Sequence, residues 1–205
     1  MAHVIAVAGK GGVGKTTLCG LLIQYLCDKK KTPVLAVDAD ANSNLNEVLG
    51  VDVEMTLGEI REDVERSADS STSKIPAGMS KADYMEMMVN RCLIEDDDFD
   101  MLVMGRTQGK GCYCFVNGLL QAQLAKLTPN YPYMVVDNEA GMEHISRGIL
   151  PKVDTVILVS DCSRRGVQAV GRIAALVREC GLNPNTIGLI AVSYTHLTLP
   201  TRDFV

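Results

Sequence analysis

The sequence predicts an α/β fold, a mostly parallel sheet with helices on both faces, on three observations. Short apolar runs rich in Val, Ile, Leu and Ala recur at residues 3–8, 33–37, 101–104, 133–136, 155–159 and 187–192. Runs that are apolar at successive positions are the pattern of strands covered on both faces. Helical periodicity separates several of them, at 16–27, 115–127, 141–150 and 166–180, and strands alternating with helices imply parallel pairing through helical crossovers. Finally, every polar signature falls just after a strand, where ligands bind in sheets of this kind.

Taken in order, "HVIAVAG" is the first strand and leads through a Gly-rich turn into the helix at 16–27. The strand at 33–37 ends in "VDADAN". Residues 61–80, "REDVERSADSSTSKIPAGMS", are Ser-rich with a Pro and a Gly and read as a surface loop. The acidic run "EDDDFD" at 95–100 reads as a solvated turn before the strand at 101–104. "GKGCYC" precedes the helix at 115–127, and "VVDNEAG" closes the strand at 133–136. His144 in the following helix reads as structural, and Arg164 and Arg165 as an exposed helix start.

Composition narrows the function. The 205 residues suit one domain with a real core. Hydrophobic content of 47% and charged content of 22% are ordinary for a globular protein. A net charge of −5 argues against a broad nucleic-acid footprint, which needs clustered Lys and Arg. No apolar run approaches the roughly 20 residues that span a bilayer, and no basic stretch or cleavage site precedes the first strand. A cytoplasmic location is expected. In that reducing setting Cys19, Cys27, Cys92, Cys162 and Cys180 read as small buried hydrophobes, with Cys92 placed on a helix. Cys112 and Cys114 stand apart, because glycines and polar residues surround them.

"GKGGVGKTT" matches the phosphate-loop pattern G-x-x-x-x-G-K-[ST] from Gly9 to Thr16, after a strand and opening a helix, the context that motif requires. Gly9, Gly11, Gly12, Val13 and Gly14 would supply the backbone cradle, helped by the helix dipole. Lys15 would meet the β- and γ-phosphates, Thr16 the Mg²⁺ and Thr17 the α-phosphate. No G-x-G-x-x-G spacing follows the first strand, which disfavours a dinucleotide-binding reading. Between adenine and guanine the residues leave the choice open.

Lys10 adds a second lysine inside the loop, K-G-G-x-G-K-[ST], and with it the sequence resembles the MinD/ParA/nitrogenase-iron-protein class of dimeric P-loop ATPases. The resemblance implies that Lys10 reaches across a dimer interface to the partner's ATP. It implies that Asp40 in "VDADAN" orients the attacking water, with Asp38 supporting the Mg²⁺ shell. It further implies that Asp137 in "VVDNEAG" is the Walker B acid and that Gly141 offers its N–H to the γ-phosphate.

The Cys-x-Cys pair narrows the resemblance. In an extended segment residues i and i+2 point the same way, so Cys112 and Cys114 could present two thiolates to one ion. Soft metals held by Cys usually want four ligands, and the same pair from each of two symmetric subunits would supply them. "GKGGVGKTT", "VDADAN", "GRTQGKGCYCFVNGLL" and "VVDNEAGMEH" together resemble the CooC-type maturation ATPases. That likeness implies a homodimer that assists nickel insertion into carbon monoxide dehydrogenase or a related Ni enzyme, with Ni²⁺ or Zn²⁺ bound at the dimer interface. Two other readings stay open. A spatial-organising ATPase of the MinD/ParA type gives the cysteine pair no role, and an iron–sulfur electron-transfer ATPase like the nitrogenase iron protein draws its cysteines from separate segments. Residues 193–205, "SYTHLTLPTRDFV", lack helical periodicity where a covering helix is due. They are expected to be a non-native tail on an ATPase domain, residues 1–192, that is incomplete at its C-terminus.

Overall fold

Seven strands form one sheet: β1 (His3–Gly9), β2 (Val34–Ala39), β3 (Leu93–Glu95), β4 (Phe99–Val103), β5 (Tyr133–Asn138), β6 (Thr155–Asp161) and β7 (Thr186–Val192). The computed structural model describes residues 2–60, 75–76, 78–106, 114–141, 150 and 152–192, except for the side chains of residues 81, 82, 114 and 115. The strand order is β3-β4-β2-β5-β1-β6-β7. Every neighbouring pair is parallel except β3 with β4. Helices that accompany the sheet among the described residues include α1 (Lys15–Asp28), α2 (Leu45–Leu49), α3 (Lys81–Asn90), α4 (Cys114–Leu127) and α5 (Arg164–Glu179).

Strand alternation divides the core into two layers. On one face Val7, Val34, Ala36, Met101 and Val135 pack with Cys19, Ile23 and Leu26 of α1 and Leu45 of α2. On the other, Leu35, Val37, Leu102, Met134 and Val136 share a cluster with Met88 of α3, Leu120 of α4 and Ile173 of α5. The central strands β1, β2 and β5 are therefore apolar at successive positions, as the sequence pattern required.

Where sequence and structure differ, the reasons are local. The acidic run is the turn of an antiparallel hairpin, with Asp96–Asp98 exposed between β3 and β4; β3 is too short to stand out as an apolar run. Helix α2 was not expected, and α3 was expected only as a helix that would carry Cys92. Cys92 is buried, but on the turn after α3. Cys162 and Cys180 are exposed and so are not core residues. β7 is apolar yet mostly exposed, with Leu189 at 59%, because among the described residues it is the outermost strand and pairs with β6 alone. Gly141 bridges Gly9 and does not open a helix, and 142–149, with His144, lie outside the described residues. So do 193–205 and most of the expected loop at 61–80.

Candidate functional site

The strand order puts β2, β5 and β1 side by side, so the sequence signatures that end them converge. Asp38 of β2 is in register with Asp137 of β5, and Asp137 is in register with Val7 of β1. Beyond β1 the chain turns through Gly14, whose φ of 87° is a left-handed conformation that glycine adopts without strain, and enters α1 at Lys15. The N-terminus of α1 thus opens beside both acids, as an anion site requires. A cavity of about 820 Å³ lies there, lined by the glycine loop with Thr16, Thr17, Asp40, Asn42 and Ala140.

Within the loop, Lys15 is 7% exposed, and its Nζ donates to the Lys10 carbonyl oxygen at 3.4 Å. The ammonium is therefore folded over the cradle from inside. Lys10 itself is exposed at the rim. Gly141 comes to the same place, its N–H donating to the Gly9 carbonyl at 3.2 Å.

The two buried acids are held differently. Asp38 is fully buried; its Oδ1 accepts from the Asp40 N–H and its Oδ2 from the Leu45 N–H, each at 3.0 Å. It thereby pins the turn after β2 and the start of α2. Burial lifts its pKa to about 6, with the two backbone hydrogen bonds opposing. Asp137 is 1% exposed. Burial raises its pKa as well, while a hydrogen bond from Thr16, the Lys15 charge and a bond from the Cys19 thiol pull the other way. Its Oδ1 has no hydrogen-bond partner among the described residues, a lack that costs about 1–3 kcal/mol for a buried group.

That orphaned oxygen tests the fit of Mg²⁺. A buried, unpaired carboxylate oxygen beside the Thr16 hydroxyl supplies hard oxygen donors of the kind Mg²⁺ takes alongside its waters. Thr16 and Asp137 fit the ion. Asp38, both oxygens already engaged, fits as a support for the surrounding turn and not as a direct ligand.

Asp40 sits on the cavity wall, half-buried. Its Oδ1 accepts from the Asn42 backbone N–H at 2.8 Å and from Asn42 Nδ2 at 3.1 Å. Asn42 and Cys19 are site residues that the sequence reading passed over. An Asn two residues after an Asp at a strand end is a turn signal that could have marked the first; Cys19 carried no signal beyond its helical position. Asn138, next to Asp137, is also buried; its Nδ2 donates to the Val7 carbonyl at 2.9 Å, and its Oδ1 lacks a partner among the described residues.

The structure brings together Gly9 to Thr17, Asp38, Asp40, Asp137 and Gly141. It does not reach the cysteine pair: Cys112 lies outside the described residues, as does the side chain of Cys114. The backbone at Cys114 already opens α4, so the extended geometry expected for the pair does not extend through residue 114. The buried stripe of Val116, Leu120 and Leu124 explains why helix begins there. Among the described residues no group of three or more His, Cys, Asp or Glu could hold a metal, and no helix is long and apolar enough to cross a membrane.

Fold and site together define a P-loop ATPase. A family model described as an AAA domain matches residues 2–187, and the chain belongs to that family. Among curated proteins, an uncharacterized ATP-binding protein of Methanocaldococcus jannaschii is 45% identical over 188 residues, covering 92% of this chain and 73% of that protein. The carbon monoxide dehydrogenase accessory protein CooC of Rhodospirillum rubrum is 30% identical over 189 residues, covering 87% and 70%. The fold is that of a solved ParA family ATPase from Chlorobium tepidum (TM-score 0.65, 18% identity, covering 93% of this chain and 73% of that one). It is likewise that of the septum site-determining protein MinD from Pyrococcus horikoshii (TM-score 0.63, 22% identity, covering 93% and 70%).

Proposed function

We propose that this ATPase is a maturation factor that works as a homodimer and assists nickel insertion into carbon monoxide dehydrogenase or a related nickel enzyme. The observation that carries the reading is the 30% identity to CooC over most of the chain, joined to a Cys-x-Cys, Cys112 and Cys114, in a Gly-rich segment. Cysteine pairs from two subunits would give a four-thiolate site for the cargo ion, Ni²⁺ or Zn²⁺. The exposed Lys10 supports the dimer, since a lysine at the loop's rim is free to meet a nucleotide held by a second subunit.

Each residue then has a task. The loop N–H groups and Lys15 hold the β- and γ-phosphates, and Thr17 the α-phosphate. Thr16 and Asp137 would hold Mg²⁺, which when bound would neutralise charge on the phosphate oxygens. The Gly141 N–H, which donates to the Gly9 carbonyl here, would have to leave that bond to reach the γ-phosphate. Asp40 orients the water, and Lys10 of the other subunit stabilises the charge that builds up as the phosphate leaves. Closure around ATP brings the four thiolates together, and hydrolysis releases the loops and lets the ion go. A cytoplasmic site of action fits this chemistry.

The deciding experiment is metal analysis of wild type and the Cys112→Ser/Cys114→Ser double variant, with and without ATP, alongside the oligomeric state. Metal-linked dimerisation in wild type that the double variant loses is the expected result. Equal metal content in both would remove the nickel role and leave the ATPase. In that event the 25% identity over 192 residues to the septum site-determining protein MinD of Thermotoga maritima would favour a spatial-organising ATPase.

A further inference from the structure

We propose that Arg106 is a positioning residue for ATP hydrolysis, acting through Asn42 to fix the Asp40 carboxylate. The inference rests on the reading of Asp40 as the water-orienting group. Asp40 Oδ1 is occupied twice over by Asn42, through its backbone N–H and its side-chain Nδ2. Both side-chain hydrogen bonds to Asp40 among the described residues thus fall on one oxygen. That fixes the plane of the carboxylate and leaves Oδ2 as the oxygen for a water.

Asn42 is exposed, and the Asp40 carboxylate, which only accepts, draws the NH₂ end of its amide. Arg106 fixes the same orientation from the other end: Nη2 donates to Asn42 Oδ1. A guanidinium has donors only, so it accepts no approach from the amide NH₂ and holds the oxygen toward itself. Nδ2 is then directed at Asp40, and the order Arg106–Asn42–Asp40 admits one orientation of the amide.

The guanidinium is carried on a rigid base. Past the end of β4, the Met104 N–H donates to the Asp38 carbonyl, and the Gly58 N–H donates to the Met104 carbonyl, both at 2.9 Å. A Cβ on Gly58 would lie 2.4 Å from the Arg106 carbonyl oxygen, so the two backbones are in direct contact there. The segment after β4 that carries Arg106 is therefore tied to the same β2 end that carries Asp38 and Asp40. A long side chain on a fixed backbone can hold a neighbour's geometry while remaining exposed.

The test compares Arg106→Ala, Asn42→Ala, their combination and Asp40→Ala in steady-state ATP hydrolysis. Arg106→Ala is expected to lower kcat about tenfold, within the range for residues that support a catalytic ligand, with the KM for ATP within about twofold. The combined variant should be no slower than Asn42→Ala, because Arg106 acts through Asn42. A readout independent of turnover is amide hydrogen exchange by NMR: in Arg106→Ala the Asn42 N–H should exchange several-fold faster, about fivefold or more, while the Leu45 N–H, held by Asp38, keeps its rate. Wild-type kcat in Arg106→Ala, multiplicative losses in the combined variant, or unchanged exchange at Asn42 would each overturn the proposal. If Asp40→Ala is inert while Arg106→Ala matches wild type, the role of Arg106 alone falls. If Asp40→Ala turns over normally, the reading of Asp40 falls and takes this inference with it.

Discussion

Asp38 and Asp137 end adjacent parallel strands, face each other in register, and are both buried, yet the fold gives them opposite roles. Both oxygens of Asp38 are taken by backbone N–H groups of the turn that follows, so its charge is spent on shape. Asp137 has one oxygen with no partner among the described residues beside the first turn of α1, which is the arrangement a cation ligand needs. A buried carboxylate after a strand is therefore ambiguous until its hydrogen bonds are counted. One that is fully satisfied builds the site, and one left short is where the chemistry is placed.

The largest expected break of this contrast is Asp137→Asn. Turnover should fall about 10³-fold, on the order seen when one group that stabilises transition-state charge is removed, while the protein still folds cooperatively in denaturant. A comparable loss in Asp38→Asn, with folding intact, would erase the distinction.

The pH dependence of stability sharpens it next. Asp38 has a pKa of about 6 against an ordinary 3.8, so between those values the folded protein binds more proton than the unfolded chain. Its contribution to stability therefore falls as pH rises from about 4 to 6 and stays lost above that. The loss amounts to at most about 3 kcal/mol at 1.36 kcal/mol per unit. Urea unfolding across this window should show the decline in wild type relative to Asp38→Asn, which has no such group to titrate; parallel curves would count against it.

Mg²⁺ gives a smaller effect. With ADP present, Mg²⁺ at about 100 times its Kd should stabilise wild type by about 2.7 kcal/mol, read as a rise in thermal midpoint that Asp137→Asn lacks. The smallest change is Cys19→Ala, which removes the thiol that bonds Asp137. It should cost about 1 kcal/mol, with Cys19→Ser recovering part of it in the same unfolding assay.

Much of this was legible before folding. Six of the seven strands appear as apolar runs because strands covered on both faces cannot hide their composition, and β3, three residues long and half-exposed, has too little of it to show. The glycine loop, Asp38, Asp40 and Asp137 were legible because phosphate binding demands fixed residue types at fixed spacing just after a strand. Asn42, Cys19 and Arg106 were not, since each matters through one contact to a partner. Arg106 lies 64 residues from Asn42, a separation that carries no periodicity.

By itself, then, the sequence determined the class of fold, the phosphate cradle and the set of acids, because local spacing and hydrophobic pattern are written along the chain. Only the tertiary structure decided which acid is satisfied and which is short of a partner, that Asp40 is clamped through one oxygen, and that Arg106 supplies the far end of the clamp. Hydrogen-bond satisfaction is a property of neighbours in space, and the strand order that places β2 beside β5, and the end of β4 beside the Asp40 turn, is what chooses those neighbours.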